Sequence, residues 1–298
     1  MQQSAAEQAK PAAGVRQAAV IGSGTMGRGI AQVLSAAKVR TRLYDVDPAA
    51  VTRGLAAVRE NLDQGLAKGK VTTATRDNVL ACLSGAADLA QALAGVQVVI
   101  EAVPEDLELK RRLFADLGAR LGADVLLATN TSSLSVTRIA EACPHPSRVV
   151  GMHFFNPVHI MKLCEVVRGA QSSQDSVQRA LELARRMGKE PIDVKDSPGF
   201  ASSRLGLAIG LEALRMAEEG VAGVEDIDKA MVLGYGFPMG PLKLTDLVGL
   251  DVRLAIAEHL ERELGPRFSP PRLLRDKVAR GELGQKSGRG FYDWSAQA

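Results

Sequence analysis

"RQAAVIGSGTMGRGIAQVLSAA", residues 16–37, runs from an apolar stretch through three glycines into a helix-like pattern. Gly22, Gly24 and Gly27 form G-x-G-x-x-G between a strand and a helix. The first glycine permits a tight turn, the second lets backbone approach a pyrophosphate, and the third lets the helix pack on the strand. The start of that helix, with Thr25 and Met26, offers N–H groups and a partial positive charge to phosphates. "VRTRLYDVD" (39–47) then alternates as a strand and ends in acids, completing a first βαβ unit. Asp45, eighteen residues beyond Gly27, stands where a carboxylate accepts both ribose hydroxyls of an adenosine and repels a 2′-phosphate. NAD is therefore expected over NADP, although Arg40 and Arg42 pull weakly the other way. No Gly-Lys-Ser/Thr follows, which excludes a P-loop.

Further along, "VQVVIEAV" (96–103), "VLLATN" (125–130) and "RVVGMHFF" (148–155) are strand-like, with helical segments such as "EDLELKRRLFADLGARL" (105–121) between them. Alternating elements with continuous apolar strands mean a parallel sheet covered on both faces. Residues 48 to 88 are polar and helical, with a turn at Lys68–Gly69–Lys70, and read as a helical hairpin standing out from the sheet. "LCEVVRG" (163–169) and "EPIDVKDSPGF" (190–200) close the region. From Gly199 the chain is helical, in "GFASSRLGLAIGLEALRMAEEG", "VEDIDKAMVLGYG" and "TDLVGLDVRLAIAEHLEREL". Gly206 and Gly210 in the first of these permit a close helix approach, in domain-to-domain or dimer packing. The expected class is α/β: a doubly wound, mostly parallel Rossmann-like sheet with a helical hairpin insertion, followed by a smaller all-α domain. The expected boundaries are a flexible tail over 1–15, a dinucleotide-binding domain over 16–196 and a helical domain over 197–298.

The totals exclude several functions. A net charge of +3 over 298 residues gives no reason to expect nucleic acid or an acidic membrane surface. Cys82, Cys143 and Cys164 are scattered without metal-ligand spacing, so neither a metal site nor a disulfide framework is expected. No apolar run reaches the roughly 20 residues of a membrane span. The opening "MQQSAAEQAKPAAGVR" lacks a secretory signal's hydrophobic segment, and the expected location is cytoplasmic.

In a doubly wound sheet, ligands lie outside the carboxyl ends of the parallel strands. Polar residues collect there: Glu101 and Glu105 in "EAVPED", Asn130, Ser132 and Ser133 in "TNTSS", and His153 and Asn156 in "HFFNP". An imidazole takes a proton from an alcohol near neutral pH, which makes His153 the candidate base. Glu165 shares a strand face with Leu163 and Val167, and a carboxylate so placed needs a partner. Pairing with His153 would fix the imidazole tautomer and stabilise the imidazolium. Phe154 and Phe155 would exclude water. His145 and His259 read as structural residues, and His159 stays open.

On these stretches the sequence resembles the 3-hydroxyacyl-CoA dehydrogenases, close to the short-chain, 3-hydroxybutyryl-CoA type. "VIGSGTMGRGIA", "EAVPEDLELK", "NTSSLSV", "GMHFFNPVHIMKLCEVV", "DSPGF", "LGYGFPMGPLKLTDLVGLD" and "KSGRGFY" match in order. The resemblance implies His153 as base with Glu165 as its orienting partner, and Ser132 near the reacting oxygen. It also implies Glu105, Lys110, Asn156 and Lys286 as NAD contacts, and a helical domain that forms a homodimer and closes over an acyl-CoA thioester. One departure stands out: after "PGF" the family's asparagine, which helps to hold the substrate carbonyl, is replaced by Ser203. A hydroxyl has a shorter reach and lacks the second function of an amide. Lys68 and Lys70 stand where either CoA phosphates or solvent would meet them. The expected activity is NAD-dependent oxidation of an (S)-3-hydroxyacyl-CoA. The rivals are a dehydrogenase of a free hydroxy acid or gulonate-like sugar acid, and a non-catalytic NAD-binding protein.

Overall fold

A computed structural model describes residues 14–295. Of the tail expected over 1–15, residues 1–13 lie outside the described residues, while the Val15 carbonyl accepts a hydrogen bond from Arg186. The chain divides after Asp196 into two compact units.

The first unit contains β1 (Gln17–Ile21), α1 (Thr25–Ala36), β2 (Arg40–Tyr44), α2 (Pro48–Ala67), α3 (Thr73–Cys82), β3 (Leu83–Gly85), α4 (Leu89–Leu93) and β4 (Val98–Glu101). It continues with α5 (Leu107–Arg120), β5 (Leu126–Thr129), α6 (Val136–Ala140), β6 (Val149–Phe154), β7 (Leu163–Arg168), α7 (Gln174–Arg186) and β8 (Glu190–Lys195). The eight strands form one sheet in the order β3-β2-β1-β4-β5-β6-β7-β8. Every neighbouring pair is parallel except β6–β7. The strand order reverses between β1 and β4, which opens the crevice that receives ligands in such sheets. On one face Val20, Ile100, Ala128, Met152 and Val166 build the main core with Ile30 and Leu34 of α1 and Val177 of α7.

Two features differ from the sequence reading. Leu83–Gly85, inside a stretch read as helical, is an edge strand registered on Thr41–Leu43 of β2. Three residues ending in glycine carry no periodicity of their own, so the exposed edge of β2 decides their conformation. The hairpin of α2 and α3 is present, with Gly69 at the turn (φ 66°). Its first helix lies against the sheet edge: a Cβ built on Gly85 would sit 2.9 Å from a Val51 methyl. Val58, Leu62 and Val79 give the pair its own small core.

The second unit is helical: α8 (Ser202–Glu218), α9 (Val224–Tyr235), α10 (Pro241–Val248), α11 (Leu250–Leu264) and α12 (Arg272–Ala279). Gly210 packs towards Thr245 of α10, so that glycine serves a contact inside this unit. Two buried carboxylates organise the rest. Asp228 of α9 accepts from the N–H groups of Leu242 (2.8 Å) and Lys243 (2.9 Å), capping α10 from a neighbouring helix, and from the Tyr292 hydroxyl. Asp246 accepts from the N–H groups of Phe291 and Tyr292 and from Trp294 Nε1 (2.8 Å), fastening the C-terminal segment to α10. Asp246→Ala strands those three donors, and each hydrogen bond to a charged group is worth about 1.5–3 kcal/mol. Urea unfolding followed by the fluorescence of Trp294, the chain's single tryptophan, should show a loss of about 3 kcal/mol or more. An unchanged midpoint would deny Asp246 that role.

Candidate active site

The glycine loop distributes its three glycines by function. Gly22 has φ 98°, and a Cβ there would lie 2.5 Å from the Ala102 carbonyl oxygen at the end of β4. A Cβ on Gly27 would lie 1.8 Å from the Gly22 oxygen. Around Gly24 nothing stands within 4 Å, although its φ of −62° suits any residue. Two glycines are thus required by the fold, and the middle one leaves room for a ligand. Gly24 is also the N-cap of α1 without a side-chain cap, so the N–H groups of Thr25 and Met26 remain available to an anion. Asp45 accepts from the Ser23 N–H (2.8 Å) and hydroxyl (2.9 Å), which locks the loop to the end of β2. Gly24→Ala should keep its melting temperature and lose NADH affinity about tenfold or more; Gly27→Ala should fail to fold. NADH fluorescence titration and thermal melts separate the two, and equal NADH affinity for Gly24→Ala would place the dinucleotide elsewhere.

Beside the loop the carboxyl ends of β4 and β5 carry a buried polar group. Glu101 and Thr129 are register partners and so share a sheet face. Glu101 accepts from Thr129 Oγ1 (2.7 Å), the Val103 N–H (2.7 Å) and Lys110 Nζ (2.6 Å), and both Glu101 and Lys110 are fully buried. Burial pushes the Glu101 carboxyl above its usual range, against the opposing pull of Lys110 and the other donors. Lys110 also lies 3.5 Å from Glu105. One oxygen of Glu105 accepts from Thr131 Oγ1 (2.7 Å), the Ser132 N–H (3.0 Å) and hydroxyl (3.2 Å), and the Ser133 N–H and hydroxyl. Partial burial raises that carboxyl, but these donors and Lys110 outweigh it and hold it low. Glu105 therefore gathers the whole Thr131–Ser133 turn and aims the Ser132 hydroxyl.

His153 and Glu165 are direct cross-strand partners in the antiparallel β6–β7 pair. They lie on the face opposite Met152 and Cys164, which belong to the main core. His153 Nδ1 is 2.7 Å from Glu165 Oε2; Glu165 has no exposed surface and His153 is 7% exposed. An ionised carboxylate only accepts, so Nδ1 carries the hydrogen and the basic lone pair belongs to Nε2. The Phe155 ring tilts against the imidazole, with centroids 4.5 Å apart. The Asn130 side chain accepts from the Phe154 N–H (3.0 Å), tying the end of β5 to the end of β6. The arrangement is an imidazole held in one tautomer, of the kind that can serve as a base, on the sheet edge that also bears the glycine loop.

The segment 17–197 matches the family model for the NAD-binding domain of 3-hydroxyacyl-CoA dehydrogenase, and 199–294 matches the model for its C-terminal domain. The chain belongs to the 3-hydroxyacyl-CoA dehydrogenase family. It is an NAD-dependent oxidoreductase. A probable 3-hydroxybutyryl-CoA dehydrogenase of Bacillus subtilis is 43% identical over 94% of this chain and 98% of that protein. The 3-hydroxyadipyl-CoA dehydrogenase of Escherichia coli is also 43% identical over 95% of this chain, which spans only 60% of that longer protein. The crystal structure of (S)-3-hydroxybutyryl-CoA dehydrogenase from Ralstonia eutropha superposes with a TM-score of 0.90 at 40% identity, covering 94% of this chain and 99% of that one.

Other 3-hydroxyacyl-CoA dehydrogenase motif residues fall as follows. Asn156 is exposed beyond β6 and precedes a cis peptide to Pro157. Ser203 lies in the first turn of α8. Lys286 is paired with Asp251 (2.5 Å). Lys110, expected at the nicotinamide, has no exposed surface and reaches the site through Glu105. His159 Nε2 is 3.3 Å from the Asn61 amide, which links the 156–162 loop to α2; burial, with Lys189 adding to it, holds this imidazole below its usual range. Lys189 escaped the sequence reading. Its buried ammonium donates to the carbonyls of Val158 and Met161 and anchors that loop from below. The only sequence signal was a lysine following Gly188, where a helix ends and a cation is ordinarily left at the surface.

Proposed function

We propose that the protein interconverts (S)-3-hydroxyacyl-CoA and 3-ketoacyl-CoA thioesters of short chain, the class to which 3-hydroxybutyryl-CoA belongs. The 2.7 Å contact between His153 and Glu165 carries the reading. In oxidation His153 Nε2 takes the hydroxyl proton, and Glu165 stabilises the imidazolium that results. Bound NAD supplies the hydride acceptor. Ser132, whose backbone N–H stays on Glu105, turns its one hydroxyl hydrogen from that carboxylate to the reacting oxygen when substrate binds, and Ser203 holds the thioester side of the substrate. In reduction His153 returns the proton. Gly22, Gly24, Thr25, Met26 and Gly27 seat the pyrophosphate and Asp45 the adenosine ribose. Asn156, Glu105, Lys110 and Lys286 complete the dinucleotide site, with Lys110 acting through Glu105.

A homodimer in the cytoplasm completes the proposal. Leu233 and Tyr235 of α9 are 81% and 78% exposed, an apolar pair suited to self-association, and no described helix is long and apolar enough to cross a membrane. Light scattering reads the oligomer directly. For the activity, NADH consumption is followed in parallel with acetoacetyl-CoA, longer 3-ketoacyl-CoAs and free 3-keto acids. Turnover of the thioesters alone supports the proposal. Turnover of the free acids alone favours a hydroxy-acid or sugar-acid dehydrogenase, and tight NADH binding without turnover favours a non-catalytic binder.

A further inference from the structure

Among the described residues, the buried charges of the helical unit have partners, with one exception. Asp228 and Asp246 each accept three hydrogen bonds. Arg253, the fourth residue of α11, is 7% exposed, and its guanidinium makes no hydrogen bond or ion pair with any described residue. Nε is fully enclosed without an acceptor. The nearest carboxylate in sequence, Asp251, is engaged by Lys286. Burial alone holds this guanidinium below its usual range, with no anion to offset it. A cation taken out of water without a partner is strongly unfavourable, so a fold that keeps one has a use for it.

The guanidinium lies against α8. A Cβ built on Gly206 would stand 3.9 Å from Arg253 Nη1. Ser203 and Gly206 are three apart on that helix and share a face. The cation is therefore about one helical turn, roughly 5 Å along the axis, from the residue placed at the substrate's thioester side. We infer that Arg253 is a specificity-determining residue that binds a carboxylate at the far end of the acyl chain, so that the substrate is the CoA thioester of a 3-hydroxy dicarboxylic acid. This rests on the proposed function and narrows it. A guanidinium fork fits a carboxylate or a phosphate in bidentate fashion. The phosphates of CoA are separated from the reacting carbon by the whole pantetheine arm, whereas an acyl-tail carboxylate lies within a few bonds of it. Glycine at 206 leaves the side of the guanidinium clear, and the shorter Ser203 leaves more room in the same strip than an asparagine.

The test compares two six-carbon 3-ketoacyl-CoAs, one ending in a carboxylate and one neutral, on the wild type and on Arg253→Met. The wild type should favour the carboxylated thioester about 100-fold in kcat/KM, the span of a hydrogen-bonded charge pair. In Arg253→Met that ratio should fall to parity or below, and Arg253→Lys should retain part of it. The melting temperature of Arg253→Met should hold or rise, because no partner is lost; a cation with a purely structural role would lower it. The same pair of substrates as pantetheine thioesters, which lack the nucleotide phosphates, should keep the preference. A ratio unmoved by Arg253→Met, or a preference that vanishes with the phosphates, overturns the inference. Turnover of neutral thioesters alone overturns it and leaves the proposed function standing, whereas no turnover of any thioester overturns both.

Discussion

His153→Gln should lower kcat by roughly 10²–10⁴-fold while NADH binds within a few-fold of wild type. The glutamine amide fills much of the imidazole's volume and still meets Glu165, so the strand pair survives. It carries no basic lone pair near neutral pH, so the alcohol proton has no acceptor. Because none of the proposed dinucleotide contacts is His153, binding and chemistry separate in the measurement. Stopped-flow NADH consumption with saturating thioester gives kcat, and fluorescence titration gives the dinucleotide affinity. A near-normal kcat would remove His153 from the chemistry. Glu165→Gln should act in the same direction, since an amide no longer stabilises the imidazolium and can select the wrong tautomer; its buried site also makes a stability loss part of the expected result.

The second large effect is expected at Lys110. Lys110→Met removes the ammonium from a carboxylate that has no exposed surface, leaving Glu101 with only the Thr129 hydroxyl and the Val103 N–H. Breaking a buried pair from one side costs about 3–5 kcal/mol, mostly for the charge left behind. Removing both ends with Glu101→Leu and Lys110→Met together should recover much of that loss. The single variant should also raise KM for NADH, because Glu105 loses a cation 3.5 Å away and with it part of its hold on Ser132. Urea unfolding of the two variants checks the stability, and initial rates check the KM. A single-variant loss under about 1 kcal/mol would mean that Glu101 is neutral and the pair is no ion pair.

Most of the sheet, the glycine loop and the His153–Glu165 contact were legible in the sequence for physical reasons. Glycines forced by close approach, as at Gly22 and Gly27, leave no alternative residue and therefore announce themselves. A histidine and a glutamate within otherwise apolar strands stand out because burying either alone is unfavourable, so their pairing could be inferred before it was seen. The depth of Lys110 was not legible. It lies in a polar helix, between charged neighbours, and only the tertiary position of Glu101 takes it out of water. Glu105 was read for its contact with cofactor, whereas its five hydrogen bonds to the Thr131–Ser133 turn arise from residues more than twenty positions away. β3 escaped because three residues are too few for a period to appear. Arg253 escaped for the same reason as Lys110: an arginine in an amphipathic helix is ordinarily solvated, and only packing shows otherwise.

The reversal of direction between β6 and β7 has a consequence for how such a protein diversifies. His153 and Glu165 face each other on one rung of the backbone ladder, so their separation is fixed by main-chain geometry and is insensitive to loop length or to substitutions among the helices after residue 196. On the proposed roles, a lineage can alter which acyl chain it accepts through the helical segment while the His153–Glu165 pair stays in register. Shifting β7 by a single residue against β6 would instead turn the carboxylate to the other side of the sheet and silence the enzyme at once.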